Sequence, residues 1–176
     1  MKLLRLKNTS DTYFKEAWRL YEDAFPIEER RFIEDQSLVL ENEMYHFEVL
    51  IEKKQFMGFI LWWDLDTCRY IDHFATATKH RNKGLGKLVL NIFIDKEDKP
   101  IILEVELPTC KLNERRIKFY EKVGFKLNLH SYKMPPLRKD QSALQLLLMT
   151  YPSSISKKDT DLFAQKYHPI IFKNNL

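Results

Sequence analysis

Two stretches of the chain carry side chains whose type and spacing suit chemistry. The first is Leu103-Glu104-Val105-Glu106-Leu107, where strand alternation puts Glu104 and Glu106 on one face and the three apolar residues on the other. Carboxylates about 7 Å apart on one face of a strand raise each other's pKa, which moves one toward neutral pH and fits it to take a proton. The second is the turn His80-Arg81-Asn82-Lys83-Gly84-Leu85-Gly86-Lys87. It leads from a strand-like segment, Tyr70 to Thr76, into helical apolar spacing at Leu85, Leu88, Val89, Ile92 and Phe93. A turn entering a helix presents unpaired backbone N–H groups and the positive end of the helix dipole, and so binds anions. Arg81, Lys83 and Lys87 add full charges, while Gly84 and Gly86 leave room for a ligand against the backbone. The expected ligand is a pyrophosphate. The chain has only 4 glycines, and two of them sit in this turn, which favours a binding site over a plain helix-capping loop.

Other chemistries are weaker. The glycine spacing fits neither G-x-G-x-x-G nor G-x-x-x-x-G-K-[ST], so dinucleotide and P-loop readings find little support. His46, His80, His130 and His168 are spread without metal-ligand spacing, and no metal is expected. Cys68 and Cys110 suit a reducing compartment rather than a disulfide framework, and no Cys-His dyad is suggested for Cys110.

The elements that must position these residues follow from periodicity and turn signals. Leu3 to Leu6 reads as a short strand, with Ser10 and Asp11 starting a first helix whose apolar face runs Phe14, Ala17, Trp18, Tyr21, Phe25. Pro26 stops it and opens a second helix, Ile27 to Asp35, placing Phe25, Pro26 and Arg30 on a surface corner. Strands are expected over Ser37 to Leu40, Tyr45 to Glu52, Phe56 to Leu65 and Tyr70 to Thr76, with Lys53-Lys54-Gln55 as a hairpin turn. Phe56 to Trp63 is apolar on both faces and therefore central. Ile101 to Leu107 must run parallel to Tyr70 to Thr76, because a helix crosses between them. A helix over Leu112 to Lys122, a strand pair over Gly124 to Ser131 and Ala143 to Tyr151, and a helix over Lys157 to Tyr167 complete a mixed α+β sheet with helices packed on it.

Composition bounds the function. A chain of 176 residues suffices for one domain, expected over 1–176. Its net charge of +4 comes from 29 basic residues scattered among 25 acidic ones, without the concentrated basic stripe of a nucleic-acid binder. The N-terminal Met1-Lys2-Leu3-Leu4-Arg5-Leu6-Lys7 lacks a signal-peptide apolar core, and no run approaches membrane-span length. A cytoplasmic protein with neither membrane nor nucleic-acid partner is expected.

Arg81-Asn82-Lys83-Gly84-Leu85-Gly86 resembles the acyl-CoA signature [RQ]-x-x-G-x-[GA] of the GNAT superfamily of N-acyltransferases. A second piece, Asn113 to Phe125, is similar to that family's N-x-x-A-x-x-[LF]-Y-x-x-x-G-F motif, matching at Asn113, Phe119, Tyr120, Gly124 and Phe125. Arg116 departs from it, standing where the family commonly has Ala; it is expected to reach the CoA phosphates or to pair with Glu104 or Glu106. The resemblance implies an acyl-CoA N-acyltransferase fold: a mixed, mostly antiparallel sheet whose central parallel strand pair is splayed to admit acetyl-CoA as co-substrate. The backbone near Phe74 and Thr76 would pair with the pantetheine arm. Arg81, Asn82, Lys83, Gly84, Leu85, Gly86 and Lys87 would hold the pyrophosphate, with Asn113 and Tyr120 facing the same groove. An N–H of the Tyr70 strand would hold the oxyanion. The acceptor, an amine-bearing small molecule or peptide, would enter from the other side, over the corner after the first helix. An amine of pKa about 10.4 is neutral in roughly one molecule of a few thousand at pH 7, a deficit of about 4.6 kcal/mol, so a base is needed. The resemblance favours Glu104, with Glu106, Asp72 and His73 as alternatives. Tyr120 would protonate the departing thiolate. The implied activity is direct acetyl transfer to an amine by a monomer or homodimer; a silent acyl-CoA-binding sensor of the same fold is the alternative.

Overall fold

The sheet grows from the chain's most apolar run. Gln55–Asp64 (β3) is buried on both faces from Phe56 to Trp63 and pairs on either side with a neighbour in sequence. In a computed structural model describing residues 1–172, seven strands lie in the order β1-β2-β3-β4-β5-β7-β6. They are Lys2–Leu6 (β1), Tyr45–Glu52 (β2), β3, Arg69–Thr76 (β4), Ile101–Glu106 (β5), Lys126–Met134 (β6) and Leu144–Tyr151 (β7). Residues 173–176 of the expected domain lie outside the described residues. The β2–β3 hairpin closes through Lys53 and Lys54 at φ 48 and 64, the paired left-handed residues that match the twist of two strands. Among the described residues only β4 and β5 run parallel, as their helical crossover requires.

Five helices cover the two faces: Phe14–Ala24 (α1), Ile33–Leu40 (α2), Leu85–Asp95 (α3), Lys111–Glu121 (α4) and Lys157–Ile171 (α5). One core lies under α1, α2 and α5, where Phe14, Tyr21, Val39 and Phe163 pack with Phe47, Phe59 and Tyr70. The other lies under α3 and α4, where Leu90, Phe93, Ile117 and Tyr120 pack with Ile71, Leu103 and Val105. Buried Arg69 fastens the crossover between them, donating to the backbone carbonyls of Phe93 and Glu97 where α3 ends, and its charge suits the negative end of that helix.

Three expectations are corrected. Ser37 to Leu40 is no strand: it is the second half of α2, burying Gln36, Val39 and Leu40 at helical spacing. The helix expected over Ile27 to Asp35 is split into a 3-10 turn at Ile27–Glu29 and α2. Between them Arg31 is pulled into the core, its N–H donating to the Tyr21 hydroxyl at 2.8 Å, and that tether holds the chain extended. The first helix starts not at Ser10 or Asp11 but after Tyr13, at φ 75; the Asp11 carboxylate instead accepts from the Lys7 and Asn8 N–H groups.

Candidate active site

β4 and β5 pair only from Arg69 to Ile71 against Ile101 to Leu103. Beyond that they part. The register of β3 against β4 slips where Leu61 faces His73 and Trp62 faces Ile71, leaving Asp72 as an extra, bulged residue. A bulge bends its strand and flips the alternation that follows. Tyr70 therefore faces the α1 side and Ile71 the α3 side, yet His73 meets Tyr21 and Phe25 of the α1 side while Phe74 joins the α3 side. From Asp72 onward the β4 edge toward β5 has no strand partner. The parting opens a cleft of about 660 Å³ that runs from Gly84 and Gly86 to Glu104 and Glu29.

One end of the cleft is built for an anion. Arg81, Asn82, Gly84, Leu85, Gly86 and Lys87 line it, whereas Lys83 does not. Gly84 caps α3 in the left-handed region at φ 74 and no side chain caps the helix, so the N–H groups of its first turn stay free for a ligand. The glycines serve for different reasons than the sequence suggests. A Cβ on Gly84 would meet nothing within 4 Å, and its need is conformational; a Cβ on Gly86 would stand 3.1 Å from the Phe119 ring. His80 adds an imidazole nitrogen, Nε2, that is buried without a hydrogen-bond partner at this wall. A left-handed glycine, free helix-start N–H groups and an orphaned nitrogen fit a pyrophosphate. Along the parting, Phe74 and Thr76 line the cleft, with the Thr76 carbonyl accepting from Arg81 Nε at 3.2 Å.

The other end is acidic, and its carboxylates differ in their partners. Asp72 is buried against the Arg31 guanidinium at 2.5 Å. Burial pushes its carboxyl up, but Arg31 and then His73 pull it well below the ordinary carboxylate range. Such a group is a poor base. His73 Nε2 lies 2.7 Å from the Glu29 carbonyl oxygen, which only accepts, so that nitrogen carries the hydrogen. His73 Nδ1 is buried 3.1 Å from Asp72 Oδ1 without hydrogen-bond alignment. Glu106 is ion-paired with Arg116, one of the two carboxylates the sequence offered that arginine. Glu104 has no cationic partner among the described residues. Its carboxyl is pushed up to about 7, by burial first, against hydrogen bonds from Tyr132 and Tyr70 that lower it. The mutual effect of Glu104 and Glu106 expected from their spacing is not the cause: the like charges that act on Glu104 are Asp72 and Glu29.

Tyr120 lines the cleft from α4, its phenol pushed up to about 12 by burial. Asn113 does not join it, despite their two-turn separation. The Asn113 amide turns back to donate to the Leu107 carbonyl at 3.0 Å, fixing the passage from β5 into α4. Sequence reasoning missed four contributors. Glu29 lines the acidic end and is raised by burial, then by Glu106. Arg31 reaches Asp72 from 41 residues away. Tyr132 and His168 stand behind Glu104. Nothing local marks them, since each meets the site only through long-range folding. Two regions far apart in sequence meet beside the Ile27–Glu29 turn: Arg138 donates to the Arg30 carbonyl at 2.8 Å and Gln141 to that of Ile27 at 3.1 Å.

A sheet parted at its parallel pair, with a helix N-terminus at one mouth of the cleft, is the architecture of the acyl-CoA N-acyltransferase fold. The chain belongs to the GNAT acetyltransferase family, whose sequence profile matches residues 10–125. It is similar over 98% of both chains, with 32% identity and a TM-score of 0.90, to a GNAT-family protein from Bacteroides thetaiotaomicron assigned as an acetyltransferase. Two more distant structures share the fold. One is the ribosomal-protein-S18-alanine N-acetyltransferase of Escherichia coli, at 18% identity and TM-score 0.60 over 88% of this chain and 95% of that one. The other is an aminoglycoside 6'-N-acetyltransferase complexed with coenzyme A, at 13% identity and TM-score 0.63 over 89% of this chain and 99% of that one. No curated protein sequence matches the chain significantly. Among the described residues no helix is long and apolar enough to cross a membrane.

Proposed function

We propose that the protein transfers the acetyl group of acetyl-CoA directly to an amine, with Glu104 as the base and Tyr120 as the acid. What supports this reading above all is the state of Glu104: it lines the cleft without an ion-pair partner among the described residues, and burial pushes its carboxyl up to about 7. Asp72 and Glu106 are neutralised by Arg31 and Arg116, and His73 is committed to the Glu29 carbonyl. Acetyl-CoA lays its pyrophosphate on the α3 N-terminus and its pantetheine along the free edge of β4. The thioester carbonyl then lies near the bulge, where an N–H of β4 faces the oxyanion. The acceptor enters over the corner formed by Asp23, Phe25 and Glu29. Glu104 takes a proton from its ammonium, the free amine attacks the carbonyl carbon, the C–S bond breaks as Tyr120 protonates the leaving sulfur, and the second proton lost by the nitrogen on forming the amide restores the Tyr120 hydroxyl. The acidic lining of the acceptor side suits an ammonium-bearing small molecule or peptide.

The test is release of free CoA across a panel of polyamines, amino acids, aminoglycosides and peptide N-termini, with Glu104→Gln as the comparison. Turnover with at least one amine is expected, and the variant should lose 10² to 10⁴ in kcat with acetyl-CoA affinity nearly intact, on the scale of general-base catalysis. Tight acetyl-CoA binding with no turnover of any amine would leave the silent sensor as the better reading.

A further inference from the structure

Glu104 is approached from behind by Tyr132, which is backed in turn by His168, and neither lines the cleft. β6 lies two strands from β5, with β7 between them. Its register slips between Asn128 and Tyr132, so that Leu129, His130 and Ser131 stand opposite the single residue Leu147. So wide a bulge re-aims the strand. Tyr132, only 3% exposed, reaches over β7 and donates its hydroxyl hydrogen to Glu104 Oε1. The same hydroxyl oxygen lies 2.8 Å from Nε2 of His168 on α5, and the two rings meet edge to face at 5.5 Å. α5 is fixed at its start by reciprocal capping between Ser156 and Asp159.

A hydroxyl has one hydrogen to give. Because the Glu104 carboxylate only accepts, Tyr132 gives its hydrogen there, and His168 Nε2 must be the donor to the Tyr132 oxygen. Burial holds the His168 pKa down at about 4, so the ring stays neutral at working pH with its hydrogen on Nε2. We propose that Tyr132 and His168 are positioning residues for acetyl transfer: His168 orients the Tyr132 hydroxyl, and that hydroxyl aims Glu104 and favours its ionised form. The proposal rests on Glu104 being the base. Every other titratable group facing Glu104 is accounted for: Asp72 on β4 and Glu29 on the 3-10 turn oppose its charge, and the Tyr70 hydroxyl supports it. Glu106, on the same face of β5, is paired with Arg116. Without the Tyr132 hydrogen bond, burial and two like charges would act against Tyr70 alone. A role in packing would need only the ring and its contact with His168, not donation to a carboxylate that opens on the cleft.

The test is the pH dependence of kcat at saturating substrates for Tyr132→Phe, His168→Leu, His168→Gln and Glu104→Gln, each checked by thermal melting for a folded state. Tyr132→Phe should move the acidic limb up by about one to two pH units, the worth of a hydrogen bond to a charged group. Activity at pH 7 then falls roughly fivefold to fiftyfold and recovers at high pH, with the KM for acetyl-CoA unchanged. His168→Leu should move the limb the same way by less, and His168→Gln, which keeps an N–H donor, should restore it. A limb that stays put in folded Tyr132→Phe and His168→Leu, or a loss equal at every pH, would overturn the proposal. Glu104→Gln separates the two readings. A limb that survives in that variant removes Glu104 as the base. A limb lost there but unmoved in the Tyr132 and His168 variants removes only their positioning role.

Discussion

At the scale of single residues, the acid is a harder problem for this fold than the base. Burial raises the Tyr120 phenol to about 12, while an ordinary thiol sits at about 8.5. Full transfer even to the free thiolate is therefore uphill by roughly 3.5 pH units, and transfer to sulfur before the C–S bond breaks is harder still, so the hydroxyl helps only as charge gathers on sulfur. Its contribution should fall at the lower end of the general-acid range, about 10² in kcat for Tyr120→Phe, with little change in the KM for acetyl-CoA. The leaving group provides the control. An acyl donor whose thiol has a lower pKa needs less protonation and should recover part of the loss in Tyr120→Phe. Equal losses with both donors, or none with either, would assign the proton to water. Tyr120 also packs edge-to-face on Phe119 and Phe125, and the phenylalanine variant keeps those contacts, so a melting temperature close to wild type is expected alongside the kinetic change.

At the scale of elements, the cleft depends on backbone conformations more than on charges. Gly84 at φ 74 holds the α3 N-terminus open, and a β-branched residue is strained there whatever the space around it. At Gly86 the neighbour is the Phe119 ring at 3.1 Å, a residue of the cleft wall that a valine would displace. Gly84→Val and Gly86→Val should each weaken acetyl-CoA binding by calorimetry at least tenfold, while Lys83→Ala, outside the cleft wall, should change it little. Unchanged affinity in the folded double variant would end the acyl-CoA reading. The glycine turn, the parallel crossover and the Glu104 strand were legible because each has a local pattern: rare glycines, a helix between strands, strict alternation in Leu103 to Leu107. What stayed hidden are the places where alternation fails. The bulge at Asp72 turns His73 and Phe74 to faces that a period of two assigns differently, and the one at Leu129 to Ser131 shifts Tyr132 two residues along β7 without changing its face. The α2 segment misled for a related reason: eight residues with Gln36, Val39 and Leu40 buried offer a short apolar run that periodicity cannot tell from a strand.

For the whole molecule, the same burial that tunes Glu104 sets a cost on the fold. Its carboxyl ionises near 7 when folded and near 4.5 ordinarily. A folded pKa above the unfolded one stabilises fully below about 4.5, and that stability is lost as pH rises through 7. A shift of this size corresponds to about 3 kcal/mol at most, of which solvent at the cleft will take a share. Asp72 carries the opposite sign: its depressed carboxyl stabilises at neutral pH and fails only in acid, below the window in which Glu104 titrates. His46 and His168, both held down to about 4, add an acid-side loss that wild type and a Glu104 variant share, and it cancels in the comparison. Glu104→Gln, neutral at every pH and still able to accept from Tyr132, should therefore melt higher than wild type at pH 8 to 9, with the difference closing by about pH 5. The variant would be more stable and much less active, as expected where a site keeps a charge in a place that folding alone would leave neutral. Equal melting temperatures across pH 5 to 9 would mean that Glu104 is solvated and ionises near its ordinary value, leaving the cleft without a base poised at neutral pH.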